Sequence, residues 1–154
     1  MTEYKILIPY NFTREDQKNL NFIIRSYSGR EDVSVTLFHT YTPPPEVDVT
    51  ANPQIEKMMS GVNYVAAELR NREKGLSAAK KFLTEKGFSE NRVDYLFTKK
   101  VKSNADQIVE VIYDGGYNMV VLSRKAGKIS QLFSRGVHNK ILAALKDVIV
   151  CIVT

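Results

Sequence analysis

A chain of 154 residues that is 44% hydrophobic and 25% charged carries enough apolar material for one sizeable core, which excludes a disordered or fibrous protein and removes any need for disulfide or metal staples. No apolar run approaches the ~18 residues of a membrane span, and the opening MTEYKILIPY has too short an apolar stretch for an export signal. One soluble cytoplasmic domain over 1–154 is therefore expected. The excess of 22 Lys and Arg over 17 Asp and Glu, a net charge of +5, permits anionic partners without identifying one.

The first strand is expected over Tyr4–Pro9 (YKILIP), a β-branched, nearly continuous apolar run of the kind buried on both faces of a parallel sheet. Thr13 and Asp16 then form a T-x-x-D capping pattern ahead of Leu20, Ile23, Ile24 and Tyr27 at helical spacing, with Gly29 as the stop. The second strand is Val33–Tyr41, followed by Thr42-Pro43-Pro44-Pro45, Glu46 and Asp48 in a stiff exposed connection. Apolar residues from Ile55 to Leu83 recur at helical spacing up to Gly87 and predict one long helix or two split near Gly75.

The third strand is Val93–Thr98; Ser103 and Asp106 cap a third helix that Gly115-Gly116 closes, and Asn118–Leu122 is the fourth strand. A last helix spans at least His138–Leu145 and leads to a fifth strand, Val148–Val153, in which Cys151 is expected to pack as a buried hydrophobe. A single cysteine cannot form an internal disulfide, in keeping with a reducing compartment. The alternation of strands and helices predicts an α/β fold, a doubly wound open sheet of five parallel strands in the order 3-2-1-4-5.

Ligands bind such sheets in the crevice beyond the carboxyl ends of the strands, so Tyr10–Thr13, His39–Pro45, Lys99–Asn104 and Ser123–Gly136 are the segments of interest. The last of these holds four basic residues, three serines and two glycines ahead of a helix, a composition suited to phosphate and equally to a solvated basic loop. Ala126-Gly127-Lys128 is not a P-loop, because Leu122 stands where the first Gly belongs and Ile129 where Ser or Thr belongs. No G-x-G-x-x-G follows the first strand, so a dinucleotide fingerprint is absent.

ILIPYNFT at Ile6–Thr13, SNADQI before the third helix, VVLSRKAGK followed by FSRGVHNKIL, and the closing DVIVCIV together resemble the universal stress protein family over essentially the whole chain. The resemblance implies a cytoplasmic stress-response module that dimerises through its final strand, here Val148–Val153. ATP-binding members carry G-x2-G-x9-G followed by Ser or Thr. Counting places Ser123, Ala126 and Gly136 at the glycine positions and Val137 at the hydroxyl position, while Asn11 and Phe12 replace the usual Asp and Gly. Val137 has no donor for phosphate and Phe12 is expected to add bulk at the crevice mouth, so weak or lost adenine-nucleotide binding is expected.

The candidate nucleotide residues are Pro9, Tyr10, Asn11, Thr13, His39, Tyr41, Ser123, Arg124, Lys125, Ala126, Gly136 and Val137. His39 and Tyr41 could meet an adenine; a structural place at the sheet end is the favoured reading for His39 and explains Tyr41 at least as well. Ser123, Ser130, Ser134 and Thr13 are conceivable phosphorylation sites. No carboxylate pair, His–Cys cluster or triad spacing is present, so neither a catalytic set nor a metal site is assigned. The alternative is an ATP-hydrolysing switch or enzyme of the same fold group. Nucleic-acid binding would rest on net charge alone.

Overall fold

The computed structural model describes residues 3–44, 55–123 and 137–154, with 55–59 and 137 described through their backbone. Arg124, Lys125, Ala126 and Gly136, the side chain of Val137, and Pro45, Glu46, Asp48, Ser130 and Ser134 lie outside the described residues. In chain order the elements are β1 (Tyr4–Pro9), α1 (Arg14–Tyr27), β2 (Val33–Tyr41), α2 (Ile55–Glu85), a 3-10 turn at Glu90–Arg92, β3 (Val93–Lys99), α3 (Asn104–Gly115), β4 (Met119–Ser123), α4 (Val137–Ala144) and β5 (Ile149–Val153). The strands form one parallel sheet in the order β3-β2-β1-β4-β5, as expected.

Ile6, Leu7 and Ile8 are all fully buried, which requires cover on both faces of β1. Ile6 and Ile8 pack with Leu20 and Ile23 of α1 and with Leu76, Ala79 and Leu83 of α2. Leu7 packs on the opposite face with Ile108 and Ile112 of α3 and Ile141 of α4. The winding reverses between β1 and β4, and the crevice opens at their carboxyl ends.

Local chemistry sets the boundaries. Thr13 Oγ1 accepts from the Asp16 amide while the Asp16 carboxylate accepts from the Thr13 amide, closing the expected capping box. Ser103 Oγ likewise accepts from the Asp106 amide, and Gly116 ends α3 at φ 68°, the left-handed conformation that glycine adopts without penalty. β4 and β5 each begin one residue later than expected, because Asn118 is engaged before the ladder starts: its side chain accepts from the Lys5 amide, and its carbonyl accepts from the Ile149 amide. β4 also runs on to Ser123 and β3 to Lys99, while the last helix ends at Ala144.

α2 passes through Gly75 without a break. A Cβ there would lie 2.6 Å from Cε1 of Phe12, so this glycine makes room for an aromatic ring from the β1–α1 loop. Cys151 is half-buried rather than enclosed, because β5 is an edge strand that leaves Ile149 and Ile152 48% and 38% exposed. Burial still raises its thiol pKa, which disfavours the reactive thiolate.

Candidate functional site

The β1–α1 loop is held by a carboxylate inside the protein. Asp16 is only 1% exposed, and its Oδ2 accepts from the Asn11 amide at 2.7 Å and the Thr13 amide at 3.0 Å. Such charge-assisted bonds to backbone amides are stronger than hydrogen bonds between neutral groups. Between them Phe12 adopts φ 63°, a region a bulky residue enters at a cost of about 1–2 kcal/mol.

The Phe12 ring does not stand in the crevice mouth as expected. It turns toward α2, over Gly75, and packs edge-on against Tyr10 at 5.0 Å and His39 at 5.1 Å between centroids. Two non-glycine devices thus do the work of one glycine: Asp16 secures the turn from below and the Phe12 contacts offset its strain from above.

Beyond the strand ends lies a cleft of about 290 Å³ lined by Pro9, Asn11, Thr13 and Ser123 together with Glu15, Phe38, Thr40, Asn104, Ile108, Leu122 and His138. Pro9, Phe38, Ile108 and Leu122 give it apolar walls, and the amides and hydroxyls of Asn11, Thr13, Thr40, Asn104 and Ser123 give it polar edges. The Nε2 of His138 donates to the Ser123 carbonyl at 3.1 Å, tying the start of α4 to the end of β4. Thr40 Oγ1 donates to Asn104 Oδ1 at 3.1 Å across the other rim.

Of the expected site residues, Pro9, Asn11, Thr13 and Ser123 meet in this cleft, whereas Tyr10, Tyr41 and His39 do not line it. Side chains alternate along a strand, so Phe38 and Thr40 face the cleft while His39 and Tyr41 face α2. Tyr41 packs on Phe97 at 4.5 Å. His39 is 6% exposed, stacked on Phe97 at 5.9 Å, with Nδ1 2.9 Å from the Tyr10 carbonyl. Because a carbonyl only accepts, Nδ1 carries the proton, and the buried Nε2 has no partner among the described residues. Burial, reinforced by Arg72, lowers the His39 pKa against the opposing effects of the Tyr10 carbonyl and Asp16.

A second cavity, of about 410 Å³, opens on the α2 side of the strand ends; it shares Asn11, Thr40 and Asn104 with the first and adds His39, Thr42, Glu68, Arg72 and Lys100. Thr40, Thr42, Lys100 and Asn104 belong to segments marked by their position after strands. Glu68 and Arg72 escaped notice because an i,i+4 acid–base pair on a helix ordinarily signifies only a solvated face. Among the described residues no three of His, Cys, Asp or Glu gather as a metal site, and no helix is long and apolar enough to cross a membrane.

This is a doubly wound α/β protein with a small crevice site at the switch in winding order, the place where that architecture binds ligands. Its fold is that of the universal stress proteins. It is similar over 100% of its length to the universal stress protein of Lactobacillus plantarum (99% of that chain, TM-score 0.65, 11% identity). It is also similar to a universal stress protein in complex with cAMP (100% and 98% covered, TM-score 0.60, 10% identity) and to that of Archaeoglobus fulgidus in complex with dAMP (100% and 100%, TM-score 0.57, 13% identity). No family model and no curated protein matches the chain in sequence.

Proposed function

We propose that this chain is a universal stress protein-like, non-catalytic stress-response module of the cytoplasm that acts as a homodimer and binds an adenine nucleotide weakly in the main cleft. The observation that carries the nucleotide reading is the cleft itself: apolar walls for the faces of a purine, and amides and hydroxyls for its edges, at the winding switch. Two proteins of the same fold are described in complex with cAMP and dAMP. Its volume of about 290 Å³ stands at the small end of small-molecule sites, roughly 300–1,000 Å³, which suits a nucleoside-sized body. Asn11 offers a neutral amide where a carboxylate would favour a metal, and Glu15 places a negative charge beside the cleft, disfavouring tight phosphate binding.

Calorimetric titration of ATP, ADP and AMP, with and without Mg²⁺, tests this reading. Binding with a dissociation constant of about 0.1 mM, worth about −5.5 kcal/mol, is expected, and Ser123→Tyr should abolish it by filling the cleft. Absence of heat together with an unchanged melting temperature at millimolar nucleotide would refute it, and Mg²⁺-dependent hydrolysis would establish the enzymatic alternative.

The dimer reading rests on β5, whose outer edge pairs with no other strand among the described residues and lies beside the exposed Ile149 and Ile152. Sedimentation at micromolar concentration should give a dimer for the wild type and a monomer for Ile152→Lys. A wild-type monomer would sink the idea.

A further inference from the structure

The second cavity uses groups that the purine-sized cleft does not. Arg72 of α2 enters it with Nη2 donating to Glu68 Oε1 at 2.9 Å, which leaves most of the five guanidinium N–H donors for another acceptor. Lys100, just past β3, is exposed and has no ion pair among the described residues; its backbone N–H donates a hydrogen bond to the Tyr41 carbonyl at 2.8 Å. With Glu68 counted, the two cations leave one net positive charge, and the hydroxyl of Thr42 adds a neutral donor. The neutral His39 ring forms part of the wall and contributes no charge.

Charged donors from a helix and a strand end, converging with a hydroxyl on one concave space, match the several oxygens of a compact oxyanion. We propose that this cavity is an anion site for a phosphate-type group, separate from the main cleft, with Arg72 and Lys100 as its charged donors. The inference stands on this cavity alone and holds whether or not the main cleft takes a nucleotide.

The test is an amide-resolved NMR titration of the full chain with inorganic phosphate, against sodium chloride at matched ionic strength. Saturable shifts are expected at Thr42, at the Glu68–Arg72 turn and at Lys100. Arg72→Gln and Lys100→Gln should each weaken binding about tenfold, the loss of one charge-assisted hydrogen bond. Lys100 is exposed, so its variant remains informative even if the Arg72 variant folds poorly. Shifts that chloride reproduces, that survive in Lys100→Gln unchanged, or that gather at Ser123 instead would overturn the proposal. Adenosine added to the phosphate-loaded protein should leave these shifts in place; competitive displacement would mean one continuous site and overturn the claim of separateness.

Discussion

Replacing Asp16 by Ala is expected to destabilise the protein by about 3–5 kcal/mol and to weaken ligand binding in the main cleft at the same time. The carboxylate accepts two backbone amides from inside the protein, and bonds to a charged partner contribute about 1.5–3 kcal/mol each. Ala removes both acceptors and leaves the Asn11 and Thr13 amides to find others, in a loop already strained at Phe12. Because Asn11 and Thr13 line the cleft, loosening this turn also costs the site its shape. Thr13→Ala removes only the hydroxyl half of the capping box and should cost about 1 kcal/mol. Urea unfolding with an unchanged m-value measures both. A loss below about 1 kcal/mol for Asp16→Ala would mean that the loop is held by something other than this carboxylate.

A second expected result is a loss of stability on mild acidification that originates at His39. Its folded pKa lies below the ordinary value of 6.5, so the unfolded chain takes up the proton more readily. The sign follows from linkage: stability is fully present above about pH 6.5 and falls as pH drops from there through the folded pKa, by at most about 1.4 kcal/mol per pH unit. Protonation would place an N–H at Nε2 where the described residues offer no acceptor, between Phe12 and Phe97 and within the field of Arg72.

The control is His39→Asn, whose amide can donate to the Tyr10 carbonyl in place of Nδ1 but does not titrate. The stability of the wild type relative to this variant should decline between pH 6.5 and lower pH. A constant difference over that window would show that His39 titrates alike in both states. Since His39 and Phe12 touch, the same acidification should loosen the β1–α1 loop before the rest of the sheet.

The architecture was legible because its signals are local. The run at Tyr4–Pro9 is nearly continuously apolar and that at Val33–Tyr41 is β-branched and aromatic, the two capping patterns mark helix starts, and Gly116 marks a helix end; each works through residues a few positions apart. The part of the cleft carried by Pro9, Asn11, Thr13 and Ser123 was legible for the same reason, since those residues end a strand, follow one in the turn or cap a helix. Phe12 misled because bulk is a property of the residue whereas direction belongs to the backbone: at φ 63° the ring leaves the crevice for the space above Gly75.

By itself, then, the sequence determined a parallel, doubly wound sheet and where along the chain its crevice had to open, because hydrophobic periodicity and caps act within a turn or a strand. The tertiary structure alone decided which side chains share each cavity. His39 and Tyr41 go to the α2 side by strand alternation, His138 reaches back to Ser123, and Arg72 lines the same cavity as Lys100 across a separation in sequence that no local pattern spans.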